Sequence, residues 1–220
     1  YETLIETVGE DRAGALFTRY ADAFSVSYRE EFSTRTAVLD IEHIENLSSE
    51  HPLSVSLYRS LEDDPRALRF KLYRLDKNIP LSDVLPMLVI LGWRVLGGRP
   101  YRIALREDCT VWIYDFSVRF DGNGVIELEK VKQKFQNAFI QTWNGAAEDD
   151  SFNRLVLAVG LEWREVAVLR AYAKYFKQTG FAFSQTYIKD ALVNHPTVTR
   201  LLVDLFELRF RPGGEHSESS

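Results

Sequence analysis

The run Cys109-Thr-Val-Trp-Ile-Tyr-Asp-Phe-Ser-Val-Arg-Phe120 decides the fold. Trp112, Tyr114, Phe116, Val118 and Phe120 recur at every second position, the period of a strand, while Val111, Ile113, Asp115, Ser117 and Arg119 point the other way. Each aromatic side chain has about 150–250 Å² to bury, so a face this rich in rings demands a cover of helices. Upstream, Arg94 to Leu105 reads as a neighbouring strand. Ser54 to Arg59 and Arg69 to Arg74 also alternate, and Glu62-Asp63-Asp64-Pro65 supplies a turn between them, which predicts a hairpin with one buried face.

Two helical patterns interrupt these strands. Val84, Leu85, Leu88 and Leu91 recur at helical spacing after Ser82, a candidate cap, and Gly92 stops the run; Pro86 falls early enough to be tolerated. After the turn at Asp121-Gly122-Asn123-Gly124, a second stripe comprises Leu128, Val131, Phe135, Ala138, Phe139 and Thr142, with Lys130, Lys132 and Lys134 expected to face water. Residues 53–145 therefore read β-β-α-β-β-α. The layer solution is α+β, a four-stranded antiparallel sheet with helices on one face.

Working outward, residues 1–50 are expected to form connecting helices. One covers 12–24, with Leu16, Tyr20 and Phe24 on one face; another covers 33–47, with Val38, Ile41 and Ile44 apolar between Asp40, Glu42 and Glu45. From 146 to 211 the alternating period is gone and an all-α unit is predicted: a short helix at 152–159, one at 161–178, one capped by Ser184, and one after His195-Pro196 that Thr197 can cap. Residues 213–220 hold no apolar side chain that could pack, and 212–220 are expected to be a mobile tail or linker. The domain boundaries are thus 1–50, 51–145, 146–211 and 212–220.

The formal charge is −5, from 27 Lys plus Arg against 32 Asp plus Glu. Basic residues are interleaved with acids rather than clustered, so no nucleic-acid footprint is expected. The longest apolar stretch, Val84 to Trp93, is about half of the roughly 20 residues a membrane helix needs, and no membrane partner is expected. One cysteine, Cys109, cannot form an internal disulfide, and a cytoplasmic location is expected.

Searches for chemistry find little. Gly92 to Arg99 copies the glycine spacing of a phosphate loop but lacks its lysine and hydroxyl, so a helix stop and strand bulge are the better reading. Asp121-Gly-Asn123-Gly resembles the start of a calcium loop, yet Lys132 stands where the bidentate glutamate belongs. His43, His51, His195 and His216 have no metal-ligand spacing, and no nucleophile motif is present. No catalytic, cofactor-binding or metal residue is assigned. Asn153, Arg154, Trp163, Arg164, Glu165, Arg170 and Tyr172 combine the residue types that protein interfaces enrich, on helices that also carry apolar stripes, and form the candidate interface.

Several strings resemble the large bacterial NAD-specific glutamate dehydrogenases: Tyr28-Arg-Glu-Glu-Phe-Ser, Leu68-Arg-Phe-Lys-Leu-Tyr-Arg, Ile79-Pro-Leu-Ser-Asp-Val-Leu-Pro-Met-Leu, Trp112-Ile-Tyr-Asp-Phe and Leu169-Arg-Ala-Tyr-Ala-Lys-Tyr. The resemblance implies an ACT-like (ferredoxin-like) domain, permuted so that its fourth strand comes first, followed by the helical motif that leads to catalysis. It implies a parent that oxidatively deaminates L-glutamate to 2-oxoglutarate and ammonium with NAD, as a homo-oligomer, and a segment that is a noncatalytic regulatory and assembly region, holding no cofactor. Its partners would be the catalytic and neighbouring regulatory domains of the same chain. ACT-like domains often bind amino acids, which makes a sensor the alternative, with Ser82 and Asp83 as the candidate effector site. No glycine precedes that helix to let an amino acid approach the backbone closely. The chain departs from the family's pattern at Glu162, where a serine commonly caps the helix, and at Val89-Ile90, where polar residues are commoner.

Overall fold

A computed structural model describes residues 2–60, 67–105, 109–122 and 126–210. The expected turn at 62–65, part of that at 121–124 and the tail lie outside them. The chain divides into two compact units, 1–85 with 94–119, and 86–93 with 120–220.

The first unit is built on strands β1 (Leu53–Tyr58), β2 (Ala67–Leu75), β3 (Trp93–Ala104) and β4 (Thr110–Phe120), in the order β1-β2-β4-β3. Leaving β2, the chain passes through a helix before β3, and β4 then fills the gap between them, a split β-α-β unit. β1 pairs antiparallel with β2, where the last strand of a β-α-β-β-α-β unit would lie, so the permuted order is the one found. Register places Leu57, Phe70 and Phe116 in line on one face, and Ser56, Lys71 and Asp115 in line on the other.

The ring-rich face is buried at Phe70, Leu72, Tyr114, Phe116 and Val118. A Cβ at Gly98 would meet the Phe116 ring at 2.6 Å, so the glycine in β3 lets that ring lie flat. Helix α5 (Leu81–Ile90) approaches from this side, because the Tyr114 hydroxyl accepts from the Ile79 N–H at 2.8 Å. α5 begins one residue before Ser82, whose hydroxyl instead donates to the Asp83 carboxylate, so Ser82 is not its cap. Gly92, at φ 101, ends the turn that follows, as the sequence indicated.

The opposite face is also covered. Helices α1 (Glu2–Val8), α2 (Glu10–Tyr20), α3 (Val26–Glu31) and α4 (Thr34–Glu45) share one apolar core with Tyr73, Ile103, Val111 and Ile113, which adds a second helical layer to the one expected. The predicted hairpin buries both faces of β2 for this reason. Ser33 caps α4, accepting from the Thr36 N–H at 3.2 Å, and Ser25 caps α3. α2 ends at Tyr20 rather than 24; Phe24 instead bridges to Ile103, so the chain here shields the outer edge of β3.

The second unit comprises α6 (Leu128–Trp143), a 3-10 turn at Ser151–Arg154, α7 (Leu155–Ala158), α8 (Trp163–Gln178), α9 (Gln185–Asn194) and α10 (Pro196–Phe210). Val131, Phe135, Ala138, Phe139 and Thr142 form the buried stripe of α6, and Trp93 meets Phe135 edge-on with ring centroids 5.5 Å apart. Lys134, expected in water, donates to the Gly160 carbonyl. At the start of α8, Glu165 three residues on accepts from the Glu162 N–H at 2.6 Å, so a glutamate there caps without a hydroxyl. Ser184 caps α9 by accepting from the Tyr187 N–H at 3.1 Å. α10 starts at Pro196, whose missing N–H is harmless in a first turn, so Thr197 lies inside the helix rather than capping it.

Candidate functional site

Unpaired ionisable groups are rare in protein interiors, so two clusters in which charge is buried stand out. The first lies on the face of the sheet that packs against α1 to α4. Strand alternation puts Arg69, Lys71 and Tyr73 on that face, and Asp115 is the cross-strand partner of Lys71. Asp40, between the apolar positions of α4, points inward rather than to solvent, being only 2% exposed, and Lys71 only 1%. The Lys71 ammonium lies 2.6 Å from Asp40 Oδ2, the Tyr73 hydroxyl donates to Oδ1 at 2.7 Å, and the Tyr28 hydroxyl donates to Oδ2. Phe32 closes the ammonium's remaining side, its ring centroid 3.8 Å away.

Beside this pair, Arg69 holds Asp115, and Tyr58 donates to Asp115 Oδ1 at 3.2 Å. Arg69 also lies 3.6 Å from Glu31, which Arg99 meets at 2.9 Å. Burial, reinforced by the Asp40 carboxylate, pushes the Tyr28 and Tyr73 hydroxyls well above their ordinary range; burial and then Asp115 do the same to Tyr58. Burial also raises the Asp115 carboxyl, opposed by Arg69 and Lys71. An open cavity of about 530 Å³ adjoins the cluster, lined by Glu31, Phe32, Arg35, Tyr58, Arg59 and Arg69 among others.

The second cluster gathers two residues of the candidate interface. Arg170, 3% exposed, bonds Asp150 through Nε at 2.8 Å and Nη2 at 3.1 Å, and Asn153 Oδ1 at 2.8 Å. Asn153, also buried, donates to the Glu148 carbonyl at 2.8 Å. Lys174 grips the Glu148 carboxylate at 2.6 Å and holds its carboxyl below the usual range. Arg154 donates to the Asp121 carbonyl, and Arg200 to Glu165. Trp163 is half-buried under the exposed Arg164 guanidinium, 4.7 Å from its ring, and Tyr172, 43% exposed, meets Phe206 edge-on. Ser82 and Asp83 are exposed. Replacing Arg170 by alanine should destabilise this unit by about 2–3 kcal/mol, because Asp150 and Asn153 lose a shared donor. An unchanged thermal midpoint for Arg170→Ala would contradict that role.

Sequence reasoning overlooked the Asp40–Lys71 pair. The available signal was Lys71 standing in a strand whose alternate positions also carry Tyr73 and Arg69, with Asp40 interposed between the apolar positions of α4. Among the described residues no group of three His, Cys, Asp or Glu is placed to hold a metal, and no helix is long and apolar enough to cross a membrane.

Three family descriptions tile the chain: "Glutamate dehydrogenase, helical motif 2" matches 3–47, "Glutamate dehydrogenase, ACT3 domain" matches 52–131, and "Glutamate dehydrogenase, helical motif 3" matches 147–212. The chain belongs to the large glutamate dehydrogenases. It is 47% identical over 214 residues to the NAD-specific glutamate dehydrogenase of Halomonas elongata. The corresponding enzymes of Pseudomonas aeruginosa and Mycobacterium tuberculosis are 40% and 37% identical over 207 and 206 residues. These alignments cover 97%, 94% and 91% of the chain, but only 13%, 13% and 12% of the relatives. This glutamate dehydrogenase segment is therefore about an eighth the length of its relatives. The ACT3 match begins at the start of β1, so the strand that comes first in the chain lies inside the ACT3 region.

Proposed function

We propose that this segment is a noncatalytic regulatory and assembly region of a large NAD-specific glutamate dehydrogenase. Its parent would oxidatively deaminate L-glutamate to 2-oxoglutarate and ammonium with NAD, in the cytoplasm and as a homo-oligomer, with the reacting groups and the nucleotide held elsewhere in the polypeptide. The observation that carries this reading is the internal pairing of the buried charges. Asp40 with Lys71, Asp115 with Arg69, and Asp150 with Arg170 are held by one another and by neighbouring hydroxyl and amide groups, an arrangement that fixes helices to strands and to each other. In this role ACT3 and the flanking helical motifs position the catalytic and neighbouring regulatory domains of the same chain, with Trp163, Arg164 and Tyr172 as the accessible members of the contact set.

The purified 220-residue segment is expected to show no glutamate-dependent reduction of NAD, while the full-length parent does. Turnover by the segment alone would overturn the reading.

A second reading, an amino-acid sensor, is favoured by the cavity beside Arg69. Its volume of about 530 Å³ falls within the range of small-ligand sites, and its lining combines Arg35 and Arg59 with Glu31, which suits a group bearing both a carboxylate and an ammonium. Calorimetric titration of the segment with the common amino acids separates the two readings. Saturable heat at millimolar or lower ligand, abolished by Arg35→Ala, supports the sensor, and its absence leaves the scaffold.

A further inference from the structure

Helix α10 is apolar on two opposite sides. Thr199 and Val203 are buried within the unit. Away from them, Val198, Leu201, Leu205 and Leu208 are 54%, 61%, 62% and 78% exposed. A helix that is hydrophobic all round belongs in an interior, and a row of bare leucines is uncommon on a protein that works alone. Steps of three, four and three residues make these four side chains the a and d positions of two consecutive heptads, with β-branched valine at one a position and leucine at both d positions. Such a seam fits one facing helix through knobs-into-holes packing. Arg200 and Asp204 beside it are within 3.5 Å of each other, so the pattern asks for apolar complementarity more than for charge.

Two heptads form a short seam, which poorly offsets the translational and rotational freedom lost when separate molecules associate. A partner helix tethered in the same polypeptide avoids most of that loss, because its effective concentration is high. The relatives provide such a tether, since this segment spans only 12–13% of their length.

We propose that Val198, Leu201, Leu205 and Leu208 dock an amphipathic helix contributed by the same polypeptide from outside residues 1–220. The proposal deepens the scaffold reading and rests on it, by naming the surface through which helical motif 3 grips the remainder of the enzyme.

The test uses the full-length parent. Leu205→Cys and Glu207→Cys are each labelled with a maleimide under folding conditions and in denaturant, and the label is read on the 201–209 tryptic peptide that Arg200 and Arg209 define. Labelling of Leu205→Cys in the folded parent should be at least tenfold slower than that of Glu207→Cys, with equal rates in denaturant. Leu205→p-benzoylphenylalanine should photo-cross-link to a peptide outside 1–220 of the same polypeptide. Equal labelling rates in the folded parent, a cross-link to residues within 1–220, or a cross-link to the same stripe of a second copy would each overturn the proposal. These outcomes are independent of whether the isolated segment reduces NAD, so failure of the docking surface and failure of the noncatalytic reading are told apart.

Discussion

Asp40→Leu is expected to destabilise the first unit by about 3–5 kcal/mol, the magnitude seen when one partner of a buried ion pair is removed. The reason lies in what remains. The Lys71 ammonium, 1% exposed and facing the Phe32 ring, would lose its nearest anion, and the Tyr28 and Tyr73 hydroxyls would lose their shared acceptor. Each stranded hydroxyl accounts for about 1–3 kcal/mol of that penalty unless water reaches it. Lys71→Met should be milder, since both tyrosines continue to donate to the Asp40 carboxylate. Combining Asp40→Leu, Lys71→Met, Tyr28→Phe and Tyr73→Phe removes every orphan at once, and most of the lost stability should return. Urea unfolding supplies the midpoints. Asp40 belongs to α4 and Lys71 to β2, so hydrogen exchange should accelerate in helix and strand together. If Asp40→Leu loosened α4 while the amides of β2 kept their protection, helix and sheet would not be coupled through this pair.

That coupling also marks where the sequence stops being legible. The strands announced themselves because Trp112 to Phe120 and Arg69 to Arg74 keep a strict two-residue period, and the caps at Ser33 and Ser184 follow from local hydrogen bonding that needs no distant partner. Asp40 reads differently. An acid flanked by Leu39 and Ile41 looks like the wet side of an amphipathic helix, and only a lysine 31 residues away, brought opposite by the sheet, makes its burial tolerable.

The same limit applies to Asn153 and Arg170. Their residue types fit an interface in composition, but Asp150 and Glu148 lie within reach only after the 3-10 turn folds back on α8. Pro196 and Glu165 show a subtler version. Pro196 has no N–H to satisfy, and at the start of α8 a glutamate carboxylate rather than a Ser or Thr hydroxyl accepts from the cap N–H, so neither start carries the usual signal. Short helices such as α3, with six residues, lack the length to display a period at all.

Alkaline titration should unfold the first unit steeply, about one to three pH units above 10. Tyr20, Tyr28, Tyr58 and Tyr73 all have hydroxyl ionisation pushed upward in the folded chain, in each case chiefly by burial; Glu45 adds to it at Tyr20, Asp40 at Tyr28 and Tyr73, and Asp115 at Tyr58. For a group whose folded pKa is raised, stability is fully present below the unfolded value, near 10 for tyrosine, and is lost as pH rises from there toward the folded value. Above pH 10 the unfolded chain releases these protons while the folded chain keeps them. Each such tyrosine then removes about 1.4 kcal/mol per pH unit, and four together about 5 kcal/mol per unit. A domain with a typical stability of about 5–15 kcal/mol cannot withstand that for more than one to three units.

A large part of the tyrosinate absorbance should therefore appear only in a late step that coincides with loss of the far-ultraviolet helical signal. Tyr20, Tyr28, Tyr58 and Tyr73 contribute to it, as do Tyr101 and Tyr114, whose hydroxyls burial also raises. Tyr73→Phe is informative because it removes one titrating group and one donor to Asp40. Its baseline stability should fall, whereas the slope of stability against pH above 10 should flatten by about 1.4 kcal/mol per unit. Should all ten tyrosines titrate along a single curve near pH 10 with the helical signal intact, the hydroxyls around Asp40 are open to water and the buried cluster does not hold helical motif 2 to the sheet.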